Sequence, residues 1–187
     1  MAVHAHPDDE SIGTGGILAK YAAEGIETTL VYGTRGEAGE ILNPDFVAPE
    51  PGMSITDIRI RELNEALKVL RVQSTYFLEY RDSGINASAE HHHPNAFAHA
   101  DLGEATTRLV EIIRQVRPHV IVTYNENGSY GHPDHIMANR VTLKAFDAAG
   151  DPEFSDGLSL DPWQPLKLYY TAIPLARLRL FHQMALA

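Results

Sequence analysis

Residues 1–32 read MAVHAHPDDESIGTGGILAKYAAEGIETTLVY and predict the start of a βαβ unit. Residues 1–6 are apolar enough for a short buried strand, which Pro7 ends. A helix is expected over residues 11–24, because apolar side chains recur there at helical spacing, at Ile17, Leu18, Tyr21 and Ala22. Residues 28–32 are β-branched and apolar, which predicts a second strand.

The same alternation continues along the chain. Further strands are expected over residues 74–78, 120–124 and 166–171. Further helices are expected after the capping pairs Ser54/Asp57 and Asp101/Glu104, from Pro133 to about Ala148, and over the apolar tail 175–187. Two long loops, 33–52 and 82–100, separate these elements. The pattern predicts an α/β fold, a three-layer Rossmann-like sandwich with a mostly parallel sheet, as a single domain over residues 1–187. The tail ends without a capping or breaking residue, which is consistent with truncation at the C-terminus.

Composition narrows the functional classes. The 187 residues carry 15 Lys and Arg against 25 Asp and Glu, a net charge of -10, which disfavours nucleic acid and anionic membranes as partners. No apolar run of about 20 residues and no signal-like N-terminus is present in the sequence, so we expect a cytoplasmic protein. The absence of cysteine excludes thiolate metal sites and a cysteine nucleophile. The sequence leaves the oligomeric state open between a monomer and a homo-oligomer.

A polar cluster follows the first predicted strand at its carboxyl end. His6 is followed by Asp8, Asp9 and Glu10. In open α/β sheets, ligands bind in the crevice beyond the carboxyl ends of the strands. The cluster therefore predicts a ligand site, although carboxylates at a helix N-terminus would also explain the acidic residues taken alone. Glu10 has that explanation and receives no role.

A second cluster, YGHPDH at residues 130–135, follows the strand expected at 120–124 and should emerge at the same edge. His132 and His135 are three residues apart at a helix start, so both can face the crevice. Tyr130 lies between glycines in this loop, which favours a functional role over simple packing.

Together the two clusters offer a metal site. A catalytic zinc ion takes three N/O protein ligands and keeps one position for water, and His6, Asp9 and His135 would supply those ligands. Ligand type permits Zn²⁺ or Fe²⁺. Asp8 and His132 remain for proton transfer.

Other polar features have simpler explanations. Asp134 suits the helix dipole or a supporting contact to a ligand. The run His91, His92 and His93 is interpreted as a solvated loop, since adjacent histidines alternate in direction. Gly13, Gly15 and Gly16 lack the lysine of a phosphate loop, so close packing of helix on strand suffices.

AHPDDE at 5–10 and GHPDH at 131–135 resemble the LmbE-like, or PIG-L, family of zinc N-deacetylases. Within it, GEAGEILNP at 36–44, RDSG at 81–84 and YNENGSYGHPDH at 124–135 are most similar to the mycothiol-pathway enzymes, an N-acetylglucosaminyl-inositol deacetylase and an S-conjugate amidase.

The resemblance implies a role for each matching residue. Zinc would be bound by His6, Asp9 and His135, and Asp8 would be the general base. His132 and Tyr130 would stabilise the oxyanion. Arg59 and Asp82 would contact the substrate.

The expected function is hydrolysis of a linear amide C–N bond by metal-activated water, with Asp8 as the general base. The reaction would remove an N-acyl group, in the first place N-acetyl, from an amino-sugar such as a glucosaminyl conjugate. Either Asp8 or His132 could protonate the departing amine. The alternatives are a mycothiol S-conjugate-type amidase and, in another class, a non-catalytic zinc-containing sugar-binding module. The acyl group and the physiological substrate are left open.

Overall fold

The computed structural model describes residues 1–85, 89–154, 157, 160–172, 174, 176, 179 and 183. Its five strands are all parallel, in the order β3-β2-β1-β4-β5. The strands are β1 (Ala2–His4), β2 (Thr29–Tyr32), β3 (Ser74–Phe77), β4 (Val120–Tyr124) and β5 (Lys167–Thr171). In register, Val3 lies opposite Val31, and Ala2 lies opposite Val122. The predicted α/β fold with a parallel sheet is confirmed.

Helices connect the strands, and the three longest begin where the sequence predicts. The helices are α1 (Gly15–Ala23), α2 (Ile55–Leu70), α3 (Leu102–Val116), α4 (Gly128–Gly131) and α5 (Pro133–Ala148). A π-helical turn, Glu10–Thr14, precedes α1, and 3-10 turns lie at Ala89–His92 and Phe97–His99.

The helix caps have the predicted chemistry. The Ser54 hydroxyl accepts from the Asp57 amide at 3.1 Å, and the Asp57 carboxylate accepts from the Ser54 amide at 3.1 Å. This capping box satisfies backbone donors that the first turn of α2 leaves free. At α3, the Asp101 carboxylate accepts from the amide of Glu104 at 2.8 Å.

Two apolar cores lie on opposite faces of the sheet. Because successive strand side chains point to opposite faces, Val3 and Val31 pack with α3 and α5, whereas Ala2 and Leu30 pack with α1 and α2. This is the predicted three-layer arrangement.

Only part of the apolar side of α1 is buried. Leu18 is buried, but Ile17 and Tyr21 are 48% and 39% exposed. The helix is nine residues long, and its buried residues are Gly15 and Leu18.

The strand order fixes where a ligand would bind. From β1 the chain winds to β2 and β3 on one side, and it returns to the other side of β1 for β4 and β5. The direction therefore reverses between β1 and β4, which opens a crevice at the carboxyl ends of these two strands.

In the described ranges, no helix is both long and apolar enough to cross a membrane. The helix expected over residues 175–187 lies outside the described residues, apart from three single positions.

Candidate active site

The predicted site residues meet in the crevice between β1 and β4. His6, Asp8 and Asp9 follow the end of β1, while His132 and His135 lie at the start of α5. The segment after β3 brings Asp82 to the same place, where its Oδ1 lies 3.4 Å from His6 Nε2.

His6 is surrounded by carboxylates. Its Nδ1 lies 3.5 Å from Asp9 Oδ2, and its Nε2 lies 3.0 Å from Asp134 Oδ2. Burial by itself lowers the pKa of His6, but hydrogen bonds to Asp134, Asp82 and Asp9 raise the pKa well above its ordinary value. The ring is therefore held in orientation from both nitrogens.

Asp9 joins the two candidate histidine ligands. Its Oδ1 lies 3.4 Å from His135 Nε2, and its Oδ2 accepts a 2.9 Å hydrogen bond from the amide of His6. Burial opposes ionisation, but the hydrogen bond from His6 and the charges of nearby histidines hold the pKa of Asp9 well below its usual range. Asp9 is thus a carboxylate in the site at neutral pH.

His135 has unused bonding capacity. The side chain is 2% exposed, and within the described residues neither ring nitrogen has a hydrogen-bond partner. Burial, with the neighbouring His6 and His132, lowers the pKa of His135 to about 4 despite the opposing effect of Asp9. A neutral imidazole with a free lone pair is the form that binds metals.

These side chains fit a divalent metal ion. A buried polar atom without a partner is costly, and an ion beside His135 would satisfy it. Ring nitrogens of His6, His132 and His135 lie within 4.8 Å of one another, as do ligand atoms of His6, Asp82 and Asp134. Imidazole and carboxylate donors suit Zn²⁺ or Fe²⁺.

The hydrogen bond of His132 separates it from the other two histidines. His132 is the N-cap of α5, and its Nδ1 accepts from the amide of Asp134 at 3.2 Å. In the neutral ring, Nε2 then carries the hydrogen and is a donor rather than a ligand. This favours Asp9 over His132 as the third ligand and leaves the His132 Nε2–H as a hydrogen-bond donor.

Asp8 faces outward beside this cluster. Its φ of 118° is rare for a residue with a side chain, and such strain is often found at functional sites. The side chain is 64% exposed, and Oδ2 lies 3.1 Å from Arg59 Nη2. Burial raises the pKa of Asp8, with Arg59 acting in the opposite direction.

Arg59 and Asp82 are both engaged by the chain itself. The Arg59 guanidinium donates to the carbonyl oxygens of Pro7 and Gly36. Gly36 has φ of 74°, a conformation that favours glycine, and a Cβ there would lie 2.3 Å from Arg59 Nη1, so a larger residue would displace the guanidinium. Asp82 is buried, and its Oδ1 accepts from the amide of Gly84 at 2.8 Å. Their predicted substrate contacts stay predictions.

Tyr130 lies over the cluster. Its ring packs edge-on against His135 and His132, with centroids 5.1 and 6.1 Å apart. The residue is 73% exposed, so most of its surface is open to solvent. The underlying loop depends on Gly128, which has φ of 59° and where a Cβ would lie 2.8 Å from the Cβ of His135.

Sequence reasoning missed Tyr124, the last residue of β4. Its hydroxyl donates to Asp9 Oδ2 at 2.6 Å and accepts from the amide of Ala5 at 2.8 Å. Its ring stacks on His135 with centroids 4.1 Å apart and planes 14° apart. Its position at the strand end was the one sequence signal for this role.

Asp134 has the supporting role that was one of its two interpretations. It is fully buried and accepts from His6 Nε2 and from the amide of Ser83 at 2.9 Å. The Ser83 hydroxyl also donates to Asp134. Such partners orient a metal-binding imidazole.

The His91–His93 run lies outside this cluster. His92 and His93 are exposed, as a solvated loop predicts. His91 is half-buried, with its Nε2 3.2 Å from that of His99.

A cavity of about 320 Å³ adjoins Asp8. Arg59 and Glu62 line it together with an apolar wall that includes Ile41, Leu42 and Phe46. The open side of the candidate site therefore leads into a mixed polar and apolar space.

The fold and site define a class: α/β proteins with a parallel sheet and, at its switch point, a histidine–carboxylate cluster that could hold a metal ion. The model of the family PIG-L, GlcNAc-PI de-N-acetylase, matches residues 1–146. The chain belongs to the PIG-L family.

Two curated relatives are similar to this chain in sequence over more than nine tenths of its length. The 1D-myo-inositol 2-acetamido-2-deoxy-alpha-D-glucopyranoside deacetylase of Thermobispora bispora is 48% identical over 185 residues, covering 96% of this chain and 60% of that protein. The enzyme of the same name from Thermomonospora curvata is 49% identical over 180 residues, covering 93% of this chain and 60% of that protein. The chain thus spans about 60% of the length of these curated relatives.

Solved structures share the fold. The conserved protein TT1542 from Thermus thermophilus superposes with a TM-score of 0.67 at 27% identity, covering 92% of this chain and 65% of that one. The N,N'-diacetylchitobiose deacetylase from Pyrococcus horikoshii gives a TM-score of 0.70 at 24% identity, covering 98% and 66%. The second likeness bears on the fold alone.

Proposed function

We propose that the chain is a metal-dependent N-deacetylase that removes the acetyl group from an N-acetylglucosaminyl conjugate of inositol. The observation that carries this is the Asp9 carboxylate between His6 and His135, with the exposed Asp8 carboxylate beside it. The substrate class comes from the relatives, which are named as deacetylases of such a conjugate.

His6, Asp9 and His135 would hold the metal, Zn²⁺ or Fe²⁺. When bound, the ion supplies a Lewis acid that polarises the amide carbonyl and makes a nearby water more acidic. The chain supplies the orientation: Tyr124 fixes one Asp9 oxygen, and Asp134 fixes His6.

Asp8 is the general base of this proposal. Its carboxylate is open to the crevice, so a water held there can pass a proton to an Asp8 oxygen as it attacks the carbonyl. A binding module would need no such group. The exposed Asp8 therefore favours an enzyme over a sugar-binding protein.

His132 and Tyr130 are the oxyanion donors of the proposal. The His132 ring lies next to the His6 ring, with centroids 4.7 Å apart, and the Tyr130 ring lies next to His132, with centroids 6.1 Å apart. A donor aimed at a developing oxyanion typically contributes about 3 to 4 kcal/mol to the transition state. The departing amine takes its proton either from Asp8, which received one from the attacking water, or from His132 when that ring is in its imidazolium form.

An amidase acting on a larger acyl group is the second candidate. The apolar residues Ile41, Leu42 and Phe46 beside Asp8 favour it, because they give a larger conjugate surface to pack against. Rates for N-acetyl, N-butyryl and cysteinyl-type amides of the same amino-sugar separate the two, since a pocket built for acetyl rejects longer chains.

Asp8→Asn tests the assigned mechanism. We expect loss of amine release by at least about 10²-fold, with unchanged zinc content and substrate affinity. Asp161→Asn, which removes an exposed carboxylate near β5, is the charge-matched control and should match the wild type. Wild-type turnover by Asp8→Asn would remove Asp8 from the base role.

A further inference from the structure

We propose that Glu10 is a positioning residue: its buried carboxylate fixes the Asp8 backbone in the conformation that presents the Asp8 side chain to the crevice. This inference rests on the proposed function, because it gives Glu10 a task only if Asp8 acts in catalysis.

Glu10 is bonded in a way that a helix-dipole contact does not require. The residue is 1% exposed. Its Oε2 accepts from the amide of Asp8 at 2.9 Å and from the Tyr32 hydroxyl at 2.8 Å, and its Oε1 accepts from the Ser11 hydroxyl at 2.6 Å. A carboxylate can interact with a helix N-terminus from the surface, where it keeps its hydration. Burial with directed bonds indicates a structural task.

The task is to hold a strained residue. Asp8 has φ of 118°, a conformation that costs about 1 to 3 kcal/mol and persists only when its surroundings enforce it. Its carbonyl oxygen accepts from the amides of Ser11 and Ile12 at 3.0 and 3.3 Å. Its own amide is held by Glu10. Because the Asp8 side chain is 64% exposed, packing contributes little to this restraint.

Tyr32 anchors the arrangement to the sheet. It is the last residue of β2, is fully buried, and stacks on Phe77 with ring centroids 5.5 Å apart. The hydrogen bond from Tyr32 thus connects Glu10, and through it the Asp8 turn, to the buried central sheet. Without Glu10, the Asp8 amide loses its acceptor while the bonds to the Asp8 carbonyl and the ion pair with Arg59 remain, so the turn can relax and move the carboxylate away from the site.

Substitutions at Glu10 separate hydrogen bonding from packing. Glu10→Ala removes the acceptor. Glu10→Gln keeps an oxygen for the amide of Asp8 and the Tyr32 hydroxyl and turns its NH₂ toward Ser11, whose hydroxyl can accept. Each variant is assayed for amine release at a temperature well below its own melting point, with bound zinc measured in the same sample.

We expect Glu10→Ala to lower kcat about 10- to 100-fold with KM within about twofold, since displacement of a catalytic group by about 1 Å typically costs about 10²-fold. Glu10→Gln should recover kcat to within about threefold of the wild type. Glu65→Ala, an exposed site on α2, is the control and should match the wild type. Wild-type kcat in Glu10→Ala, or equal losses in Glu10→Ala and Glu10→Gln, would overturn the inference.

Amide hydrogen exchange gives a readout that needs no activity. In the metal-free wild type the Asp8 amide should be protected, and Tyr32→Phe should speed its exchange about tenfold relative to amides in β1. Equal exchange in both proteins contradicts the restraint through Tyr32. If exchange behaves as expected but Asp8→Asn is fully active, the base role fails while the restraint stands.

Discussion

Replacing Tyr124 with phenylalanine should weaken both the fold and the metal site. The substitution removes one hydroxyl from a fully packed position and leaves the ring stacked on His135. Two hydrogen bonds are lost: the donation to Asp9 and the acceptance from the buried amide of Ala5.

The size of the effect follows from these two bonds. A buried amide without an acceptor costs about 1 to 3 kcal/mol, and a hydrogen bond to a charged group contributes about 1.5 to 3 kcal/mol. Because the structure can relax in part, we expect a loss of about 2 to 4 kcal/mol in the free energy of unfolding. For a chain of this size that lowers the melting temperature by about 4 to 16 °C. Loss of a ligand's hydrogen-bond partner typically weakens metal binding about 10- to 100-fold.

Urea denaturation of the metal-free protein measures the first quantity, and competition with a zinc chelator measures the second. Tyr80→Phe is the matched control, because the Tyr80 hydroxyl is also buried but has no hydrogen-bond partner within the described residues. It should be neutral or slightly stabilising. Equal stability and equal zinc affinity in Tyr124→Phe and Tyr80→Phe would refute the role of Tyr124.

Two further perturbations address the supporting residues. Asp134→Asn turns an amide nitrogen toward a buried donor, so we expect the free energy of unfolding to fall by about 2 to 4 kcal/mol. Because His6 would then be misoriented, we also expect zinc binding to weaken at least about tenfold. A calorimetric zinc titration that gives wild-type affinity would contradict this. Gly128→Ala places a Cβ against His135 and also strains a backbone with positive φ, so we expect it to lower the free energy of unfolding by about 2 to 4 kcal/mol. Gly131→Ala has the backbone strain but meets no atom within 4 Å, so it should cost about 1 to 2 kcal/mol. Similar melting temperatures for the two alanine variants would show that the contact with His135 is not tight.

Much of the fold could be predicted because local and global signals agree. The Ser54–Asp57 capping box and the Asp101 cap lie where the sequence indicates, since both motifs need only residues within one turn. The alternation of strands and helices predicted the parallel sheet. The convergence of the HPDD and HPDH segments followed from the rule that parallel strands end at one edge, which depends on topology rather than on side-chain detail.

The supporting contacts of the site could not be predicted in this way. Tyr124 reaches Asp9 across 115 positions of sequence, and Ser83 reaches Asp134 across 51. Nothing in the local sequence specifies such partners, because they arise only when β1, β4 and the segment after β3 are packed together. Glu10 is similar: its sequence position suits a helix dipole equally well, and only its burial distinguishes the two roles.

The apolar spacing of α1 predicted a helix but did not indicate how much of its apolar side would be buried. Periodicity predicts which residues share a face but not how wide a contact the neighbouring elements will cover. In this short helix the contact covers Leu18 and leaves Ile17 and Tyr21 half exposed.

The central claim is tested most directly by metal add-back. Metal-free protein is titrated with Zn²⁺, and amine release from N-acetylglucosaminyl-inositol is measured at each step alongside bound zinc. The account predicts no release without metal and a rate that rises with the first bound equivalent and reaches a plateau there. Equal release in the presence of a chelator, or no release with one equivalent bound, would contradict it.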